Sequence, residues 1–104
     1  MTIKGLNRFT GRKVLVTGAA SGIGRATALR FLEEGAQVIF VDRDRQKLDA
    51  VMEGLDTSRA FASLYDISIP SEVAELLSFT KAQLGGLDVL INNAGVTASG
   101  TVLD

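Results

Sequence analysis

The stretch that most constrains this chain is Val14-Leu15-Val16-Thr17-Gly18-Ala19-Ala20-Ser21-Gly22-Ile23-Gly24-Arg25. Its unbroken apolar run, Val14 to Val16, has the character of a central parallel strand buried on both faces. Three glycines follow, at Gly18, Gly22 and Gly24. Lacking a Cβ, they permit a tight turn and let a second backbone or a ligand come close. A helix that starts from such a turn aims unpaired N–H groups above the strand. With the helix dipole, those groups suit a phosphate. The stretch therefore reads as strand, turn and helix start, with the turn as the diphosphate cradle of a nucleotide site. Glycines also mark plain turns, but a place between a buried strand and an amphipathic helix favours the cradle.

The spacing narrows the type. It is Gly-x-x-x-Gly-x-Gly, distinct from the Gly-x-Gly-x-x-Gly of most dinucleotide folds. A P-loop needs a second glycine five residues after the first, then Lys and Ser/Thr. Five after Gly18 stands Ile23.

Met1 to Arg12 reads as a short leader. Leu6 and Phe9 either pin it to the sheet edge or leave it as a frayed terminus. The first strand is Lys13 to Thr17. The first helix runs from Ser21 or Gly22 to Glu34, with Ile23, Ala26, Thr27, Arg30 and Phe31 at helical spacing and Leu29 and Leu32 widening the face. Gly35 stops it. Gln37 to Val41 is a second apolar strand ending at Asp42. Arg45 to Gly54 is a second helix, with Leu48, Val51, Met52 and Leu55 on its core side. Ala60 to Tyr65 is a weaker third strand ending at Asp66. Ser68 is a cap for the third helix, Pro70 lies in its first turn, and Glu72 suits its positive end. Val73, Leu76, Leu77, Thr80 and Leu84 form its stripe, and Gly85-Gly86 ends it. Leu87 to Ile91 is a fourth strand, followed by Asn92-Asn93-Ala94-Gly95.

This alternation predicts βαβαβαβ: a parallel sheet with right-handed crossovers and helices on both faces. The expected strand order is 3-2-1-4, the first half of a doubly wound α/β sheet. Ligands of such sheets lie at the carboxyl ends of the strands where the order reverses. That point falls between the first and fourth strands, so the Gly18 turn and the Asn93 turn converge on one crevice.

Composition matters for what it excludes. At 104 residues there is one domain and not two. With no cysteine and no histidine, disulfides, thiolate nucleophiles, Ser-His-Asp triads and the usual zinc sites are excluded from this chain. A net charge of -1 gives no electrostatic case for nucleic acid or an anionic membrane. No signal core or bilayer-length apolar run is present, so a cytoplasmic location is the default expectation.

Asp42 ends the second strand, where a carboxylate can accept hydrogen bonds from both ribose hydroxyls of an adenosine and repel a 2′-phosphate. The alternative is a cap for the following helix, a role open to Asp44 as well. Asp66 ends the third strand; an exposed strand-end carboxylate is the competing reading.

The Thr17-Gly18-x-x-x-Gly22-Ile23-Gly24 turn and the Asn92-Asn93-Ala94-Gly95 turn, in that order with Asp42 and Asp66 between them, resemble the short-chain dehydrogenase/reductase family. The resemblance covers nearly the whole chain. It implies a Rossmann-type fold and a nicotinamide dinucleotide as ligand. It places Gly18, Ser21, Gly22, Ile23 and Gly24 at the diphosphate, Asp42 and Arg43 at the ribose, Asp66 and Ile67 at the adenine, and Asn93, Ala94 and Gly95 along the nucleotide. Similar enzymes that use NADP often carry a basic residue after the second strand, as Arg43 is, or just before the second glycine, where Ser21 stands. Asp42 and Ser21 outweigh Arg43, and NAD is expected over NADP. Full-length members are usually homo-oligomers.

The same resemblance shows what is missing. The family's Ser, Tyr-x-x-x-Lys pair and further Asn all follow the Asn-Asn-Ala-Gly turn. The only tyrosine is Tyr65, with Ile69 four residues on, and Ser99 comes too soon after the turn. The chain thus resembles the N-terminal cofactor-binding part of such an enzyme, with no catalytic and no metal-binding residue assigned. Three readings remain open: a piece of an NAD-dependent oxidoreductase, a stand-alone nucleotide-binding module, or a remnant that binds nothing. In the first, the open edge of the fourth strand is expected to promote self-association.

Overall fold

Along the first two strands, neighbouring residues go to opposite faces, and both faces are buried. Val14, Val16, Val38 and Phe40 face one cluster, and Leu15, Ile39 and Val41 face another. That double burial is why these strands are apolar without alternation. The structure, a computed structural model, describes residues 8–93. In chain order the elements are β1 (Lys13–Thr17), α1 (Gly22–Glu33), β2 (Gln37–Asp42), α2 (Arg45–Met52), β3 (Ala60–Leu64), α3 (Pro70–Leu84) and β4 (Val89–Asn92). All strand pairs are parallel, in the order β3-β2-β1-β4. This is the predicted Rossmann-type half-sheet. Helices α1 and α2 cover the Val14 and Phe40 face through Ala28, Leu32 and Leu48. Helix α3 covers the opposite face through Leu76 and Leu84.

Several local expectations need correction. The buried line of α1 is Gly24, Ala28 and Leu32; of the predicted face, Leu32 lies on that line and Leu29 and Phe31 pack half-buried against the core. Ile23 is 77% exposed, because the helix approaches the sheet on its smallest side chains. On α3, Leu76, Thr80 and Leu84 are buried, but Leu77 is 55% exposed. Ser68 does not cap α3; Ile69 is the N-cap residue and gives no side-chain bond. The Ser68 hydroxyl instead donates to Asp66 Oδ1 at 2.6 Å. Helix α2 stops at Met52, two residues short of Gly54, and β3 stops at Leu64. β4 begins at Val89, not Leu87, because Lys13 and Asp88 pair first: Lys13 N–H donates to the Asp88 carboxylate and Asp88 N–H to the Lys13 carbonyl, both at 2.8 Å.

The segment before β1 is docked. Phe9 meets Phe31 edge-on with ring centroids 4.9 Å apart, and Phe9 N–H donates to the Glu34 carbonyl at 3.0 Å. Leu6 lies outside the described residues. Glu34 itself was not singled out by the sequence. Its side chain is only 1% exposed, yet it sits at the C-terminal end of α1, where the helix dipole disfavours a negative charge. Arg8 at 3.2 Å and Arg30 at 3.0 Å compensate. Arg59 donates to the nearby Leu32 and Ala36 carbonyls. The Arg8 hydrogen bond holds the Glu34 carboxyl below its ordinary 4.5, against the opposing effect of burial.

The sign of the pH effect follows. A carboxyl with a lowered folded-state pKa adds stability above its unfolded value, and that stability is lost as pH falls through the folded value. Thermal melts as a function of pH are expected to show a smaller acid-induced drop in Tm below pH 4.5 for Glu34→Gln than for the parent chain. Equal slopes would mean that the two arginines do not act on Glu34.

Candidate functional site

Register brings the carboxyl ends of the strands to one level. Thr17 pairs with Val41 on one side and with Asn92 on the other, and Asp42 pairs with Leu64. The residues that follow each strand therefore line one edge of the sheet: the Gly18 turn, Arg43, Asp66 and Asn93. The crossover from β3 to β4 reverses the strand order between β1 and β4, which opens the crevice there.

The glycine-rich turn is built from backbone. Gly18 and Gly22 have φ of 64° and 59°, a region that suits glycine. At Gly22 a Cβ would meet nothing within 4 Å, so that position opens outward. At Gly24 a Cβ would lie 2.8 Å from the Gly18 carbonyl carbon and closer still to its oxygen. Gly24 is thus glycine because α1 packs directly on the turn that leads into it. Ser21 is the N-cap residue but makes no side-chain cap bond, and the first turn holds no acidic residue. The first backbone bond runs from Arg25 N–H to the Ser21 carbonyl. The N–H groups of Gly22, Ile23 and Gly24 precede it and have no backbone acceptor among the described residues, which leaves them to an external one. This arrangement fits an anion such as a diphosphate.

Asp42 is not the cap of α2. Asp44 is, accepting from Lys47 N–H at 3.0 Å. Asp42 accepts through Oδ2 from Ala20 N–H at 3.1 Å and through Oδ1 from Asp44 N–H at 3.0 Å. Arg43 beside it is well exposed, with its guanidinium 4.0 Å from Asp66 Oδ2. Asp66 is only partly exposed and accepts from both the Ser68 hydroxyl and the Ser68 N–H. Those bonds, with the Arg43 charge adding to them, hold its carboxyl below the usual aspartate range. Ile67 packs, half-buried, against the cluster under α3. Asn93 N–H donates to Thr17 Oγ1 at 3.0 Å, while its buried Nδ2 has no partner among the described residues. Ala94 and Gly95 lie outside the described residues.

Three roles at the site escaped the sequence reading, two of them at residues named there for another reason, Thr17 in the glycine motif and Glu72 at the start of α3. Thr17 ties β1 to β4, donating to Asn92 Oδ1 at 2.9 Å as well as accepting from Asn93. Glu72 accepts from Asp66 N–H at 2.7 Å, closing the turn that presents Asp66. The Ala20 amide is the third. A hydroxyl at a strand end facing an Asn-Asn turn was a usable signal for the first; nothing local marks the other two. A cavity of about 520 Å³ lies along the free edge of β3, lined by Met52, Phe61 and Phe79 among others. None of the predicted site residues lines it, so the candidate site is the strand-end crevice. Among the described residues no cluster of acidic side chains could hold a metal ion.

A family model described as short chain dehydrogenase matches residues 12–104. The chain is 50% identical over 92 residues to glucose 1-dehydrogenase of Gluconobacter oxydans, covering 86% of this chain and 35% of that one. Among solved structures, a short chain dehydrogenase from Mycobacterium smegmatis superposes with a TM-score of 0.82 at 38% identity, covering 92% of this chain and 42% of that one. A 3-ketoacyl-(acyl-carrier-protein) reductase from Brucella melitensis complexed with NADH superposes with a TM-score of 0.74 at 34% identity, covering 79% of this chain and 33% of that one. The chain thus spans well under half the length of these relatives.

Gly24→Ala tests the packing that shapes the turn. The added methyl meets rigid backbone and not a flexible side chain. Urea unfolding is expected to show a loss of roughly 1–3 kcal/mol, the usual cost of forced overpacking. A loss near zero would mean that α1 can move away from Gly18 freely.

Proposed function

The chain belongs to the short-chain dehydrogenase family, and from that premise we propose that it is the dinucleotide-binding portion, residues 1–104, of an NAD(P)-dependent oxidoreductase. The observation that carries the reading is the first turn of α1 above Gly18, whose N–H groups have no partner among the described residues, level with Asp42 on the same sheet edge. In this reading Ser21, Gly22, Ile23 and Gly24 hold the diphosphate by backbone N–H groups. Asp42 accepts from the adenosine ribose. Arg43 stands beside Asp42 at the ribose, Asp66 and Ile67 are at the adenine, and Asn93, Ala94 and Gly95 are along the nucleotide.

NAD is the favoured cofactor. A 2′-phosphate would approach the Asp42 carboxylate, and the residue before the second glycine is the neutral Ser21. A bound nicotinamide supplies hydride exchange with an alcohol or carbonyl. The chain's own part is to bind and orient it. The proton of such a reaction needs a base, and this sequence has no Tyr-x-x-x-Lys pair. No helix among the described residues is long and apolar enough to cross a membrane; a location in the cytoplasm is part of the proposal. Leu90 on β4 and Leu77 on α3 are large exposed apolar residues, which favours self-association of the isolated chain through that side.

The cofactor reading is tested by titrating the chain with NADH and NADPH under one salt condition. NADH is expected to bind more tightly. Tighter NADPH binding would overturn the preference, and binding of neither would favour the remnant. A second test is a hydride-transfer assay on the purified chain with NAD and a panel of secondary alcohols. No turnover is expected; turnover on any alcohol would overturn the assignment of this chain as a binding portion alone.

A further inference from the structure

We infer that Asp42 is a positioning residue for the glycine-rich turn, so that one carboxylate couples the ribose end of the site to its phosphate end. The inference rests on the dinucleotide reading above. Its basis is the pair of backbone bonds that join the turn to the end of β2. Ala19 N–H donates to the Val41 carbonyl at 2.9 Å, and Ala20 N–H donates to Asp42 Oδ2 at 3.1 Å. The second bond is made by a side chain, and it is the one nearest the phosphate-facing amides. Ala20 is buried and directly precedes Ser21, the residue from which α1 starts. Its N–H is therefore turned inward to the carboxylate and is not one of the phosphate donors. What it does is fix the direction in which the next amides point.

The other carboxylate oxygen does the same on the opposite side. Asp42 Oδ1 accepts from Asp44 N–H at 3.0 Å, and Asp44 caps α2. The lead-ins of α1 and α2 are thus held against one side chain. An ionised carboxylate offers about four lone-pair positions. Two are used by these amides, and two remain for ribose hydroxyls, so both roles coexist. The turn contains two positive-φ glycines, Gly18 and Gly22, a residue type that loses more conformational freedom on ordering than any other. Holding it in the empty protein spares a ligand the cost of ordering it.

The two roles predict opposite results with a ligand that has phosphate but no ribose. If Asp42 only binds ribose, removing its negative charge leaves inorganic pyrophosphate binding unchanged or strengthens it. If Asp42 positions the turn, pyrophosphate binds more weakly despite the favourable loss of charge. The experiment uses the 104-residue chain, isotope-labelled for amide NMR, as parent, Asp42→Ala and Asp42→Asn, with NADH and pyrophosphate as probes. In Asp42→Ala, faster solvent exchange at the Ala20 amide and a rise of roughly three- to tenfold in the pyrophosphate Kd are expected, the equivalent of one net hydrogen bond.

Asp42→Asn keeps one oxygen acceptor and guards against a variant that fails to fold. That oxygen can serve only one of the two amides, so exchange at Ala20 or at Asp44 is expected to quicken. Unchanged exchange at both, or unchanged or tighter pyrophosphate binding in Asp42→Ala with NADH weakened, would overturn the positioning role and leave the dinucleotide reading intact. Failure of the parent chain to bind NADH would remove that reading and the positioning role with it.

Discussion

The contact between Gly24 and the Gly18 carbonyl sets the rest of the site. A Cβ at Gly24 has no room against that backbone, so α1 can begin directly over the end of β1 only with glycine there. This approach brings the unpaired N–H groups of the first turn to the sheet edge. It also explains the small residues along the buried side of α1, since Ala28 continues the line that Gly24 begins. A helix packed on leucines would stand farther from the strand and carry its dipole away from the crevice.

Backbone geometry of that kind needs anchors, and acidic side chains supply them. Asp42 takes Ala20 and Asp44 amides, Asp44 takes Lys47, Glu72 takes Asp66, and Asp88 takes Lys13. Each bond joins a carboxylate to a backbone N–H, a charge-assisted contact stronger than a neutral one. Most of them lie at strand ends and helix starts, where the regular ladders leave amides unpaired. The near-neutral net charge of -1 hides this role. At the C-terminal end of α1 Glu34 also takes a backbone amide, that of Arg8, but it faces carbonyl ends, and the Arg8 and Arg30 guanidiniums offset its charge.

The element order and the strand-end residues were legible because both rest on local signals. Apolar runs without alternation at Val14–Val16 and Val38–Val41 mark doubly buried strands, and the glycine spacing marks the turn. Helix faces were less legible. The α1 stripe was legible in part: Leu32 is buried and Leu29 and Phe31 pack against the core, whereas close packing selected Gly24 and Ala28 and left Ile23 outside. Ser68 was read as a cap because its type suits one; the Asp66 carboxylate took its hydroxyl first. Contacts across long sequence separation are the least legible: Arg8 with Glu34 has no local signature at all. Those of Thr17 with Asn92 and Asn93 follow from strand order, which brings β1 beside β4.

Within the proposed site, Asp42 and Arg43 carry opposite charge at neighbouring positions, and their surroundings decide which one governs. Asp42 is fixed by two backbone bonds on the sheet edge. Arg43 is 76% exposed, and among the described residues its one ion pair, with Asp66, is long at 4.0 Å. Exposed pairs of this kind are screened and contribute little, with typical values of about 0–1 kcal/mol. The Asp66 carboxylate is in any case engaged by Ser68. A long, mobile cation can swing away from a ligand or toward it at small cost, whereas the anchored carboxylate cannot withdraw without releasing the Ala20 and Asp44 amides. The proposed preference for NAD therefore rests on the fixed charge, with the mobile charge as its modulator.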